Sequence, residues 1–272
     1  MGCVSPPRES ISSMPRASSM GSWRSSKTVP LLLLAGAVVL WEIATLGPRA
    51  DFVLPPTEIA RDVVGAVASG ELLPHVTASL TRALPGFALG SFAGIVLGLV
   101  AGVVTGFAET VSPVVFLTYP VPKVVFLPLF MLWFGIGDVS KILVIALACF
   151  YPCFINAYYG ARATPRLLVW SALNMGAGRL TVFRKVVLPC ALPLVFAGLR
   201  VSLALSFILL FSTEMINARS GLGFLIRQAE SNLRFDLMYV SIVAVAALGY
   251  ASDRLLLLAR RRALAWQEAG SA

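Results

Sequence analysis

The sequence predicts an all-α, polytopic membrane protein with six transmembrane helices, and three observations carry that prediction. Hydrophobic residues make up 58% of the 272 and charged residues 13%, about half the charged share of a soluble domain. Apolar runs of about 20 residues recur along the chain, the length a helix needs to cross a bilayer core. Basic residues are divided unevenly among the segments between those runs. They supply a net charge of +9 but stand singly, with no basic face interleaved with aromatics. That pattern argues for membrane topology and against nucleic acid.

Taken in order, residues 1–28 read as a tail. The first 27 hold nine serines and four basic residues without apolar periodicity, the composition of a disordered segment, and Met14 and Met20 are alternative starts. The run VPLLLLAGAVVLWEIATLG, residues 29–47, has no small-x-small cleavage site after it and is expected to be an anchored first helix rather than a signal peptide. Next comes LPPTEIARDVVGAVASG. Thr57 suits an N-cap there, and Ile59, Val63, Val64 and Val67 fall near helical spacing, as in a helix lying on the outer face. Five further spans are placed at 86–106, 111–136, 141–160, 191–216 and 237–258. The membrane body is thus 29–258, followed by a tail over 259–272.

Six spans leave both termini on one side. The tail, the 161–190 loop and the three arginines from Arg260 hold 12 Lys and Arg. The opposite loops hold six, or seven with Lys141, so the positive-inside bias puts both termini in the cytoplasm.

Individual spans carry further signals. In the second, Gly86, Gly90, Gly94, Gly98, Gly102 and Gly106 repeat at i+4, a groove for close helix packing. The third holds Pro113, Pro120, Pro122 and Pro128 and is expected to kink or unwind. Cys3, Cys149, Cys153 and Cys190, with a single histidine at His75, fit buried structural thiols rather than disulfides or a metal site. Glu42, Lys123, Arg200 and Glu214 are the charges to weigh inside spans, with Lys123, Arg200 and Glu214 as candidates for a solute pathway.

The loop 161–190 contains no acidic residue, no nucleophile–base pair and no GxxxxGK[ST] phosphate cradle, so it is not built for chemistry. Leu168, Ala172 and Met175 are expected on one helical face. Gly176, Ala177 and Gly178 then form a tightly packed elbow. A second short helix carries Leu180, Phe183 and Val187 on one side and Arg179, Arg184 and Lys185 on others, and Leu188-Pro189 should stop it before the fifth span. Such an L-shaped pair suits insertion into a cleft on a partner.

Trp170-Ser171-Ala172, Gly176, Val186, Leu188 and Pro189 match the spacing E-A-A-x₃-G-x₉-I-x-L-P, with Trp170 and Ser171 replacing the Glu and first Ala. The loop resembles the EAA motif of bacterial ABC importer permeases. SLTRALPGFALGSFAGIVLGLVAG, VPKVVFLPLFMLWFGIGDVSK and EMINARSGLGFLI are similar to the nitrate/sulfonate/taurine/bicarbonate branch, over about residues 53–266. The resemblance implies a type I importer fold in a bacterial inner membrane, with Glu214 at the family's Glu-Met position. It assigns ATPase coupling to Ala172, Met175, Gly176, Ala177, Gly178, Arg179, Phe183, Leu188 and Pro189. It also implies two identical permeases, and two cytoplasmic ATPases that hold the ATP and Mg²⁺. A binding protein outside would deliver a small solute such as a sulfonate, taurine, nitrate or an aromatic acid. This chain would have no enzymatic activity or cofactor of its own. The alternative, an ion-coupled secondary transporter, calls for internal repeats and midplane carboxylates that the sequence lacks.

Overall fold

Every regular element is a helix among the residues that the computed structural model describes, 28–45 and 52–265. The chain forms two units, residues 1–49 and 50–272. The first is described through one helix, α1 (Thr28–Ala44), whose sequence is apolar but for Thr28 and Glu42. Thr45 ends it, its hydroxyl donating to the Glu42 carbonyl at 2.8 Å. Residues 1–27, read from sequence as a disordered tail, lie outside the described residues.

The second unit runs α2 (Pro56–Ala68), α3 (Leu72–Val103), α4 (Thr105–Thr118), a 3₁₀ turn (Lys123–Phe126), α5 (Leu127–Phe134), α6 (Asp138–Arg162), α7 (Arg166–Asn174), α8 (Arg179–Val182), a π turn (Phe183–Val187), α9 (Leu188–Asn217), α10 (Leu222–Ser231) and α11 (Phe235–Ala263). Four helical stretches are long and apolar enough to cross a membrane: Leu72–Val103, Asp138–Arg162, Arg179–Asn217 and Phe235–Ala263. The pair Thr105–Thr118 and Lys123–Phe134, bent by 95°, makes a fifth if counted as one broken span. The 17 residues of α1 extend about 26 Å, at the lower limit for spanning, so length alone does not yield the expected six.

Several boundaries differ from expectation for local reasons. α2 starts at Pro56, where a missing N–H costs nothing, so Pro55 rather than Thr57 is the N-cap. α3 begins at Leu72 and carries Pro85 inside it, so the second span starts well before residue 86. α11 continues through Arg260, Arg261 and Arg262 to Ala263, because cations in a last turn complement the helix dipole; the tail expected from 259 is partly helix.

α6 is the centre of this unit, held between α3 and α9. Five of the six ladder glycines face it. A Cβ on Gly86 would lie 2.8 Å from Ile145 Cβ, one on Gly94 2.9 Å from Cys153 Cβ, and one on Gly98 2.9 Å from Ala157 Cβ. A Cβ on Gly90 would overlap the Ala146 carbonyl, and one on Gly102 the Ala161 side chain. Gly106 departs from the expected ladder: it belongs to α4, past the break at Val104, and nothing lies within 4 Å of its Cβ position. On the opposite flank Gly160 meets Ala191 and Gly198 meets Asn156, so a second close seam joins α6 to α9. The thiols of Cys149 and Cys153 sit in that seam, beside Ser202, whose hydroxyl donates to the Cys149 carbonyl at 2.8 Å. Cys190, expected buried, is exposed on the outward stripe of α9 that also carries Leu194, Ala197 and Val201.

An ionic cluster joins the same three helices at the Leu72 end of α3. Glu214 on α9 is 0% exposed and pairs with Arg82 Nη1 of α3 at 2.7 Å. Its carboxylate also accepts from the Ser79 hydroxyl at 2.9 Å and the Gly223 N–H at 3.0 Å. Arg82 Nε reaches Asp138 at 2.6 Å, Nη1 the Ser220 carbonyl at 2.7 Å and Nη2 the Ser220 hydroxyl at 3.0 Å. Lys141 lies 3.8 Å from Asp138. Nearly every donor and lone pair of the buried pair is thus used, the condition under which a buried ion pair is tolerated.

Two outcomes follow from these contacts. Gly90→Ala should cost about 1–3 kcal/mol through overpacking, whereas Gly106→Ala should be neutral or stabilise by up to about 1 kcal/mol; thermal unfolding of the detergent-solubilised protein measures both. Arg82→Met should destabilise by about 3–5 kcal/mol by stranding Glu214, and Arg82→Met/Glu214→Gln should regain most of that loss in the same assay.

Candidate functional site

The segment between α6 and α9 shows how a short sequence makes a protruding element. α7 starts after Pro165, which fixes φ at the entry, and ends in a Schellman turn. Ala177 N–H donates to the Ala172 carbonyl at 3.0 Å and Gly176 N–H to the Leu173 carbonyl at 2.9 Å. The turn needs a left-handed residue, and Gly176 supplies it at φ +82°. Nothing lies within 4 Å of its Cβ position, so Gly176 is there for its backbone and not as part of a tightly packed elbow.

The expected helix stop at Leu188-Pro189 does not occur. Leu188 N–H donates to the Phe183 carbonyl, five residues back, and the π turn slips the hydrogen-bond register by one residue. The wider turn takes up Pro189, which has no N–H to give and whose ring would crowd a regular α-turn. α8, the π turn and α9 therefore form one continuous stretch from Arg179 to Asn217, 39 residues long. One arm of the protruding element, α8, is therefore continuous with a membrane-crossing helix.

The predicted coupling residues divide between two environments. Ala172, Ala177, Phe183 and Leu188 pack against the cluster of Leu99, Ala157, Val182, Val187, Ala191 and Val195, which anchors the element to α3, α6 and α9. Met175, Gly176, Gly178 and Arg179 are exposed, and Pro189 is half-buried. Leu168, Ala172 and Met175 do not share a face: Ala172 turns inward while Met175 stands 81% exposed. The sequence reading left out the exposed Leu167, Trp170 and Leu173, which repeat at i+3 along α7. With Met175 and Leu180, 69% exposed, they make up an apolar tip of exposed side chains on α7 and α8. Exposed large apolar side chains grouped along one short element mark a site of association.

The pathway candidates sit apart from one another. Lys123 follows the 95° break and donates to the carbonyls of Thr118, Tyr119 and Val121 at 2.8, 3.0 and 2.7 Å. Its ammonium lies 3.9 Å from the centroid of Tyr151. All these partners are neutral. Lys123 borders a cavity of about 330 Å³ together with Tyr119, Tyr151 and Ser212. Arg200 is matched instead: it forms a two-point pair with Asp253 of α11 at 2.7 and 3.1 Å, beside a groove of about 850 Å³. Glu214, expected beside the pathway, is buried in the ionic cluster with Arg82. Sequence reasoning missed Arg82 because the span was started at residue 86. The signal was present, since Arg82 continues the i+4 glycine register one step toward the N-terminus.

Comparison with known proteins agrees with this architecture. The chain is 34% identical to the taurine transport system permease protein of Escherichia coli, over 90% of this chain and 92% of that protein. It is 35% identical to the putative aliphatic sulfonates transport permease protein of the same organism, over 89% and 93%. It is 36% identical to the riboflavin transport system permease protein of Chloroflexus aurantiacus, over 88% and 89%. An inward-facing structure of the methionine ABC transporter shares the fold, with a TM-score of 0.55 at 22% identity, covering 68% of this chain and 92% of that one. The model of the binding-protein-dependent transport system inner membrane component family matches residues 76–264, and the chain is a multi-pass inner-membrane permease subunit belonging to that family.

Proposed function

We propose that this permease works as a homodimer, moves a small anion of the sulfonate class delivered by an extracytoplasmic binding protein, and is driven by a pair of separate ATPases that hold the ATP and Mg²⁺. The observation that carries the coupling reading is the apolar tip of Leu167, Trp170, Leu173, Met175 and Leu180, of which Leu180 lies on the stretch continuous with α9 while the other four stand across the turn at 176–178. A groove on the ATPase that covers this tip acts on α9 through α8. The 12-to-six division of basic charge supports the orientation, with this loop and both termini in the cytoplasm. Met175→Asp puts a charge on the tip without touching the packed side of the loop. It should leave the membrane body folded and reduce ATPase co-purification and transport in proteoliposomes by about tenfold or more, some 1.4 kcal/mol. Arg184→Gln, beside the tip, should change either by much less. Unchanged association in Met175→Asp would remove this loop from the ATPase interface.

Lys123 supports an anionic solute. The relatives named for taurine, sulfonates and riboflavin are similarly close, at 34 to 36% identity, so identity does not choose among solutes. The ammonium of Lys123 supports an anion, because its partners are three carbonyls and an aromatic ring, and no carboxylate pairs with it among the described residues. Arg200, neutralised by Asp253, adds no net charge to its groove. Lys123→Gln should slow uptake of a sulfonate by about tenfold or more with binding-protein affinity unchanged, and Lys123→Arg should retain most of the rate, since a charge in a water-poor site is worth several times its value in bulk. Equal rates in parent and Lys123→Gln would take this lysine out of the pathway.

A further inference from the structure

A second cavity, of about 890 Å³, lies between the Val103 end of α3, the start of α4 and the end of α6 on one side and α7, α8 and the π turn on the other. That volume suits an organic ligand of moderate size. Two residues of its wall hold hydroxyls without hydrogen-bond partners, Ser112 Oγ and Thr164 Oγ1. These residues are only 6% and 8% exposed. Buried hydroxyls are almost always partnered, so two orphans on residues of one cavity's wall point to a ligand that supplies the missing partners once the side chains turn to it.

The charge of the wall says what kind of ligand. Arg162, Arg166 and Arg179 line the cavity, and none of them pairs with a carboxylate among the described residues. Arg162 donates to the Tyr158 hydroxyl and so keeps its full charge. Glu109 is the single acidic lining residue, leaving the wall with a net charge of +2. Guanidinium groups in such a setting select phosphate.

Depth separates a lipid from a free ion. The arginines stand at or beyond the end of the membrane-crossing helices, whereas Ser112 is seven residues along α4 from Thr105, about 10 Å further in. Ala108, Phe116 and Val187 line the cavity as well and are apolar. A cationic mouth at the membrane surface above an apolar wall matches an anionic amphiphile. We propose that this cavity binds an anionic phospholipid, with the arginines on its phosphate and the Ser112 and Thr164 hydroxyls on head-group or ester oxygens.

The test uses the permease purified with its ATPase in mild detergent and equilibrated with equal amounts of phosphatidylglycerol and phosphatidylcholine of the same chain length. Native mass spectrometry reads the retained lipid. Phosphatidylglycerol should be retained at least about fivefold over phosphatidylcholine, and Arg162→Gln/Arg166→Gln should lower its retention by about fivefold for each charge removed. Ser112→Ala keeps every guanidinium and should lower retention measurably in a protein that purifies like the parent, so it decides the matter if the double variant does not fold. Equal retention of the two lipids, or retention unchanged in the variants, overturns the proposal. Displacement of the lipid by millimolar inorganic phosphate, with phosphate bound in its place, assigns the cavity to a free ion and overturns it too. Lipid bound to the permease alone but absent once the ATPase is present assigns the cavity to the ATPase, with the same consequence.

Discussion

The close approach of α3 and α9 to the two flanks of α6 is the constraint on which the rest of this structure depends. In a bilayer no hydrophobic force draws helices together, so association rests on van der Waals contact and on whatever polar groups can pair across the seam. Here glycines at 86, 90, 94, 98 and 102 remove the side chains that would hold α3 away from α6. Gly160 and Gly198 do the same between α6 and α9. Backbone carbonyls of α6 then serve as packing surface, and the Ser202 hydroxyl bridges to one of them. The ionic cluster of Arg82, Asp138 and Glu214 closes the Leu72 end of the same three-helix core.

This core has a mechanical consequence. The α8 side of the apolar tip is not a separate hinged piece, because the π turn at Phe183–Val187 carries the helix through Pro189 into α9. α9 in turn is fastened to α6 along its length and to α3 through Glu214. A displacement imposed at Leu180 passes along one continuous helical stretch into the packed helices, whereas one imposed at Met175 must first cross the turn at 176–178. That arrangement suits an element that passes motion from a partner into the membrane, and it needs no chemistry of its own.

Charges within the membrane body follow one economy. Arg82 is shared between two carboxylates, Arg200 is matched by Asp253, and Lys123 spends its three donors on the carbonyls left open where α4 ends. Of these, Lys123 alone lacks an anionic partner among the described residues. Lys123 also shows how a proline-rich break in a span is held: the bend frees carbonyls, and a cation gathers them.

How much of this could be read from the chain depends on the range of the interaction involved. Composition, apolar run length and the i+4 glycine repeat are local quantities, and they determined the helical membrane class, the approximate place of most long helices and the close seam on α3. The spacing of Gly176 and Leu188-Pro189 likewise located the protruding loop. Tertiary structure decided what those patterns leave open. A proline in sequence reads as a stop, but a one-residue register slip absorbs Pro189, and that slip is visible only in the hydrogen bond from Leu188 to Phe183. Glu214 reads as a candidate pathway charge until a guanidinium 132 residues away in the chain arrives beside it. Gly176 reads as a packed elbow, yet its neighbourhood is open and its φ supplies the reason for glycine. In each case the local sequence fixed which groups were present, and only the fold fixed which partners they met.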